Sequence, residues 1–331
     1  MTGMLHKVED YFDVASSSWI GCRPVQEDSF LTRYYPDEEK LLAIVSDGMG
    51  GHAAGEVASN LAIQSFVSRF ESVSDVSEPP ERLRDALFRA NQSIFDHTAK
   101  NQAHEGMGCT FSAIALSKDH ISWVSVGDSG IYLWDTKSLK RLNEDHSIRG
   151  LVKSYLSLGK ITPEEADSYP NKGALRSALT GDNIDLIDLS SRKIDLKTDE
   201  ALILATDGIE VLTPQEIEKT LIDQQAKTAA AILERLIREV KLRNVKNQDN
   251  LSVIVIKRKR VNLSSNSSNS KWKVHSGGRL FLVISLLVGL GLIIATLGVI
   301  FLNKLNRPSL FNKSSNINID VLISDKFFRN I

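Results

Sequence analysis

Cysteine is nearly absent: Cys22 and Cys109 are the only two in 331 residues, and they stand far apart and outside any Cys-x-x-Cys spacing. A disulfide framework and a structural zinc site are thereby excluded, and the composition suits a reducing compartment. An excess of charge of one sign is also lacking. Lys and Arg number 40 against 41 Asp and Glu, a formal net charge of -1, so no global basic field recruits nucleic acid and no acidic excess suits a cationic partner. The N-terminal stretch has no apolar run of the kind an export signal needs, because Glu9, Asp10 and Asp13 interrupt it early. No internal repeat is visible. What is there, 42% hydrophobic and 24% charged residues, suffices for one large core with an appendage and excludes disorder throughout.

The appendage announces itself by composition. Leu280 to Leu302 is 23 residues long without a charge, enough to span a bilayer as a helix. A buried core helix seldom stays apolar on every face for that length. Upstream, Lys257 to Arg279 carries seven basic residues, no acidic ones and a Ser/Asn-rich middle, which reads as a linker. Its run Lys257, Arg258, Lys259 and Arg260 suits either anionic lipid or plain solvation beside a membrane. The domain reading is therefore a catalytic region over residues 1–258, a basic linker over 259–279, a transmembrane helix over 280–302 and a short tail over 303–331. Flanking charge fixes orientation poorly, since Lys271, Lys273 and Arg279 balance Lys304, Arg307 and Lys313. The missing export signal points to a cytoplasmic N-terminal region in the cell membrane, with the tail on the far side.

Within the large region, helical spacing appears in Ala58, Leu61, Ala62, Phe66 and Phe70; in Leu83, Ala86, Leu87, Ala90 and Ile94; and in Leu233, Leu236, Ile237 and Val240. Short β-branched-rich runs predict strands at Leu41–Val45, Thr110–Leu116, Ile121–Val126, Gly130–Trp134, Ala201–Ala205 and Leu251–Ile256. Strands cluster and helices come in adjacent pairs, a pattern that favours an α+β layered fold over a doubly wound parallel sheet.

Aspartates recur against those strands. Asp47 follows LLAIVS and Asp207 follows LILAT, each before a glycine; Asp249 stands just before LSVIVI, Asp128 lies in the VGDSG turn, and Asp28 closes RPVQED. Each alone is an ordinary turn former. Together, acids at strand ends converge on a rigid rim where nothing else neutralises them, and with no His or Cys beside them the donor set suits Mg²⁺ or Mn²⁺. Two such ions bridged by a carboxylate activate a water and clamp a phosphate, so hydrolysis of a phosphate ester is the matching reaction.

In order along the chain, RPVQED (Arg23 to Asp28), DGMGGHAAGEVAS (Asp47 to Ser59), GMGCT (Gly106 to Thr110), VGDSGIY (Val126 to Tyr132), NEDHS (Asn143 to Ser147), ITPEEA (Ile161 to Ala166), ALRSALTG (Ala174 to Gly181), ATDGIEVL (Ala205 to Leu212) and QDNLSVIVI (Gln248 to Ile256) resemble the metal-dependent serine/threonine phosphatases of the protein phosphatase 2C class, bacterial branch. The resemblance covers essentially Tyr11 to Ile256. It implies a β-sandwich of two antiparallel sheets flanked by helices, in α-β-β-α layers, with the metal cleft at one end. It implies further that Asp47 bridges two Mn²⁺ or Mg²⁺ ions, that the Gly48 carbonyl joins one of them, and that Asp207 and Asp249 complete the set. By the same resemblance Glu27 and Asp28 hold metal-bound waters, Arg23 fixes the substrate phosphate, and Asp128 with Asp207 binds a third ion.

Some positions depart from the pattern. Gly130 stands where the family usually has arginine, which implies a less basic rim beside Asp128. Cys109 replaces a common threonine and Gln26 a common asparagine. The family histidine proposed as general acid follows Asp-Gly directly in animal members; here Met49, Gly50 and Gly51 come before His52, which is either that acid or a structural residue. Ser147 to Asn171 matches a variable flap that influences substrate choice.

The resulting reading is hydrolysis of phosphoserine and phosphothreonine in proteins by a metal-bridged hydroxide, from a membrane-anchored cytoplasmic domain. Its partners are phosphoproteins, including a serine/threonine kinase or its targets, and no nucleic acid. The alternatives are a catalytically silent phosphoprotein-binding scaffold, whose signature would be a missing ligand, and a regulatory hydrolase whose phosphorylated partner controls a transcription factor.

Overall fold

The computed structural model describes residues 11–259 apart from 52–53, 74–78, 119, 191–193 and 223–227. The predicted linker beyond Lys259, the transmembrane segment 280–302, the tail 303–331 and His52 lie outside the described residues. Among those described, no helix is long and apolar enough to cross a membrane. All of them fall in one compact unit, Met1–Leu263.

Two antiparallel sheets form its centre. One runs in the order β1 (Phe12–Trp19), β11 (Leu251–Arg258), β10 (Ala201–Ala205), β7 (Gly130–Trp134) and β8 (Leu139–Arg141). The other runs β2 (Asp28–Tyr35), β3 (Lys40–Met49), β5 (Phe111–Ser117), β6 (Ile121–Val126) and β9 (Asp188–Leu189), with the short β4 (Gly108–Cys109) paired to the end of β3. Helices α1 (Ala54–Ser72) and α2 (Pro79–Thr98) follow β3; α3 (Ile148–Ser157) and α4 (Pro163–Ser168) follow β8; α5 (Pro214–Ile222) and α6 (Ala229–Arg243) come between β10 and β11.

Side-chain alternation explains the layers. In β3, Leu41, Ala43 and Val45 face a core between the sheets, while Leu42 and Ile44 face a second core with α1 and α2. In β10, Leu202 and Leu204 enter the central core while Ala201, Ile203 and Ala205 meet Ile217, Leu233 and Leu236 of α5 and α6. Strand segments covered on both faces must be apolar, and Leu41–Val45 and Ala201–Ala205 are. Each large side chain so buried contributes roughly 1.5–3 kcal/mol. The α-β-β-α arrangement expected from the family resemblance is thus the arrangement observed.

The flap region, Ser147 to Asn171, carries α3 and α4. Ser147 caps α3 through its hydroxyl, which accepts from the Gly150 amide, and a reciprocal Thr162–Glu165 capping box starts α4. Val152 is the one buried residue of α3 and Ala166 the one of α4. Apolar burial therefore holds the flap only lightly.

Candidate active site at one end of the sandwich

Asp28 opens β2 and Asp47 lies near the end of β3, and the two are direct cross-strand partners. Like charges in such a pair repel. The Asp47 backbone is pinned by Thr110, whose amide donates to the Asp47 carbonyl at 2.8 Å and whose hydroxyl accepts from the Asp47 amide at 3.0 Å. In the other sheet β10 and β11 are neighbours, so Asp207, which begins the short helical turn Asp207–Val211, and Asp249, which precedes β11, come out at the same end. The β6–β7 turn adds Asp128 there. Asp47, Asp128 and Asp207 line a cleft of about 590 Å³, together with Thr110 and the chain from Gly173 to Ala178.

This clustering shifts the acids. Burial, followed by repulsion from Asp28, Asp207, Asp128 and Asp249, holds the Asp47 carboxyl well above the usual carboxylate range. Burial pushes Asp28 up to about 7, against the hydrogen bond from Thr206. It pushes Asp128 up to about 6, with repulsion from Asp207 adding to it, and burial and Asp249 raise Asp207. Glu27 is raised as well, mainly by burial. Acids raised together in this way form a site whose charge asks for a cation.

Tight backbone packing fixes the rim. A Cβ at Gly48 would fall 2.0 Å from the Gly55 carbonyl oxygen, and one at Gly55 would fall 2.5 Å from Glu27 Oε1. Glycine at both positions lets the start of α1 press onto the end of β3, with the Glu27 carboxylate against that helix start. Asn250 ties the Arg23–Asp28 loop to β11: its Oδ1 accepts the Glu27 amide at 2.8 Å, and its Nδ2 donates to Ile20 and Val25 carbonyls. Thr206 joins the sheets by donating to Asp28 Oδ2 at 2.7 Å.

Two arginines already hold two of the acids. Arg23 Nη2 lies 2.5 Å from Asp249 Oδ2, so in this arrangement Arg23 partners a carboxylate. Arg149 Nη2 lies 3.6 Å from Asp128 Oδ2, and Arg141 Nη2 donates to the Asp128 carbonyl at 2.7 Å. The less basic rim expected from Gly130 is therefore corrected: Arg141 and Arg149 supply the charge from β8 and from the flap. Gly130 has its own steric reason, since a Cβ there would fall 2.3 Å from the Tyr132 ring.

The NEDHS segment turns out to be scaffolding. Asn143 Oδ1 accepts the Ile131 amide and its Nδ2 reaches Ser125 and Ser129, which knits the turn bearing Asp128. His146 Nδ1 accepts the Gly127 amide at 3.3 Å, and burial lowers its pKa, keeping the ring neutral. Cys109 is fully buried against α1 with its thiol directed at the Ala58 carbonyl.

The donor set, all oxygen, matches hard divalent cations. Asp28 Oδ1 and Asp207 Oδ1 are buried without a hydrogen-bond partner among the described residues, and Asp47 and Asp207 lie within hydrogen-bonding reach of each other. As the side chains stand, no three His, Cys, Asp or Glu among the described residues close on a single ion. Arg23 pairs with Asp249 and Arg149 faces Asp128 in this arrangement. In chemistry and placement the residues fit such ions.

A family profile for protein phosphatase 2C matches residues 24–248. This chain belongs to the protein phosphatase 2C family. Among curated members, the serine/threonine phosphatase stp of Listeria welshimeri is 28% identical over 225 residues, covering 67% of this chain and 86% of that protein. The crystal structure of the Mycobacterium tuberculosis serine/threonine phosphatase PstP/Ppp superposes with a TM-score of 0.63 at 30% identity, over 76% of this chain and all of that one. A structure of the PstP catalytic domain in complex with two manganese ions superposes with a TM-score of 0.61 at 28% identity, over 76% and 99% of the two chains. For a protein phosphatase 2C member, the sequence-predicted residues Glu27, Asp28, Asp47, Gly48, Asp128, Asp207, Asp249 and Arg23 all meet at one end of the sandwich. Sequence reasoning missed Thr206, Asn250, Arg141, Arg149 and Glu210. Thr206 and Glu210 lie within ATDGIEVL and Asn250 within QDNLSVIVI, close to Asp207 and Asp249; Arg141 and Arg149 carry no local signal.

Proposed function

We propose that the chain is a metal-dependent phosphatase acting on phosphoserine and phosphothreonine in proteins, anchored in a membrane by residues 280–302. The observation that carries the catalytic part is the meeting of acid-bearing strand ends from both sheets in one cleft, with an arginine at its edge. Asp47, Asp207 and Asp249 would hold two Mn²⁺ or Mg²⁺ ions with the Gly48 carbonyl, Asp128 with Asp207 a third, and Glu27 and Asp28 their waters. When bound, the ions supply a water of lowered pKa and positive charge for the phosphate oxygens. The chain's own contribution is positioning: Thr110 fixes Asp47, Thr206 and Asn250 fix Asp28 and Glu27, and Arg23 turns from Asp249 to the phosphate with a planar guanidinium suited to two oxygens. His52 is the side-chain candidate for protonating the departing serine or threonine oxygen.

Arg23→Ala should therefore raise KM on a small phosphate ester about tenfold while lowering kcat less. Arg23→Lys should recover part of the loss. An unchanged KM with altered Mn²⁺ affinity would assign Arg23 to Asp249 instead.

The anchor rests on the uncharged run Leu280 to Leu302, and the cytoplasmic placement on two free thiols, one of them exposed at Cys22, which a reducing compartment preserves. Partners there are phosphoproteins, a serine/threonine kinase or its targets among them. The full chain should stay with membranes through high-salt and carbonate washes, because burial of some twenty apolar residues outweighs the screened attraction of the Lys257 to Arg260 run. A chain ending at Arg260 should be soluble and active. Release by salt would demote the segment to a peripheral contact.

A further inference from the structure

Arg149 stands in the first turn of α3, and its guanidinium lies between two acids from different parts of the site wall. Nη2 is 3.6 Å from Asp128 Oδ2, and Nη1 pairs with Glu210 of the turn that Asp207 begins. Its Nε is buried without a hydrogen-bond partner among the described residues. The backbone ties of the flap to the cleft wall are few: the Ile148 amide donates to Ala174 and the Arg149 amide to Lys172. Since Val152 is the one buried residue of α3, the Arg149 side chain is the principal polar tie between this helix and the acids. The positive field of Arg149 also reaches Asp207.

An ion pair at this site has a natural competitor. Asp128 is 4% exposed, so its carboxylate has room for few cations at once. Glu210 keeps a hold on Arg149 when Asp128 is lost, so the exchange strands no charge in a buried place. We propose that Arg149 is a positioning residue that latches the flap helix to Asp128 and competes with a divalent cation for that carboxylate, so that cation binding at Asp128 and attachment of α3 oppose each other. The inference rests on the reading of Asp128 as a cation ligand. Coupling of this kind is reciprocal: whatever factor the cation loosens α3 by, loosening α3 tightens the cation by the same factor.

Two readouts on the full chain test it: Mn²⁺ titration followed by electron paramagnetic resonance of the free ion, and amide hydrogen exchange of residues 148–157. In the parent protein, exchange in α3 should speed up over the Mn²⁺ range that fills the weakest class of site. Arg149→Gln should tighten that class about tenfold, near the scale of two unit charges about 4 Å apart in water, and α3 exchange should be fast from the start and indifferent to Mn²⁺. Arg149→Lys should restore part of the response. Lys153→Gln removes a flap charge that forms no ion pair with Asp128, and should leave the Mn²⁺ response of α3 intact; loss of that response would reduce the effect to general electrostatics and overturn the latch. An Arg149→Gln protein with unchanged Mn²⁺ affinity and a parent-like exchange response would overturn it equally. Asp128→Asn separates the two layers: it should abolish the weakest class, and if that class survives, the cation reading of Asp128 falls and the latch with it.

Discussion

Replacing Asp207 by asparagine should lower turnover of a phosphate ester by on the order of a thousandfold, the scale on which loss of one preorganised charge-stabilising element acts, while the fold persists. Asp207 begins the turn after β10, and its Oδ1 is buried without a partner among the described residues. Burial and repulsion from Asp249 raise its carboxyl, so the neutral amide relieves strain in the metal-free protein. The thermal midpoint measured without metal should hold or rise even as activity is lost. Asp47→Asn should behave alike, since burial and four neighbouring acids raise the Asp47 carboxyl. Near-parent turnover of Asp207→Asn in Mn²⁺ would remove Asp207 from the ion-binding set.

Gly48→Ala should do the opposite, breaking structure first. The added methyl would sit 2.0 Å from the Gly55 carbonyl oxygen and 2.6 Å from that of Glu27. Both are backbone atoms, one in the first turn of α1 and one in the loop beside Asp28, so no side chain can swing away. The cost should reach about 3 kcal/mol, the upper part of the range for overpacked sites, seen as a lowered denaturation midpoint and weakened Mn²⁺ binding. Gly51→Ala, where a Cβ meets nothing within 4 Å, is the control and should stay within about 0.5 kcal/mol of the parent. Equal effects at the two positions would argue against the close approach of α1 to β3.

Burial on both faces decided which elements could be read in the sequence. LLAIV of β3, ALILA of β10 and LSVIVI of β11 are sandwiched between two cores, so their apolar runs are continuous and their strand character is plain. β1 (FDVASSSW) and β2 (DSFLTRYY) lie at the outer edges of their sheets with mostly half-exposed residues, and their mixed polarity hid them. The helices α3, α4 and α5 are short, and too few turns accumulate for the 3.6-residue period to stand out.

The site divides the same way. Asp47, Asp207 and Asp249 were visible because each adjoins a strand that was itself visible. The Thr206 hydroxyl on Asp28 and the Asn250 amide on the Arg23–Asp28 loop depend on which strand lies beside which, and Arg149 on how the flap folds back. None of these contacts has a signature in local spacing. The basic character beside Asp128 has no local signature for that reason: position 130, on the strand, is glycine, and the charge comes from Arg141 and Arg149 on neighbouring elements.

That these carboxylates hold the cations for phosphate ester hydrolysis is tested by turnover of a phosphothreonine peptide by the full chain after removal of divalent ions, then with Mn²⁺ restored. The expected result is no release of phosphate from the stripped protein, recovery on adding Mn²⁺, and loss again with chelator. A protein that binds the peptide but releases no phosphate at any Mn²⁺ concentration would contradict the claim and leave a phosphoprotein-binding scaffold in its place.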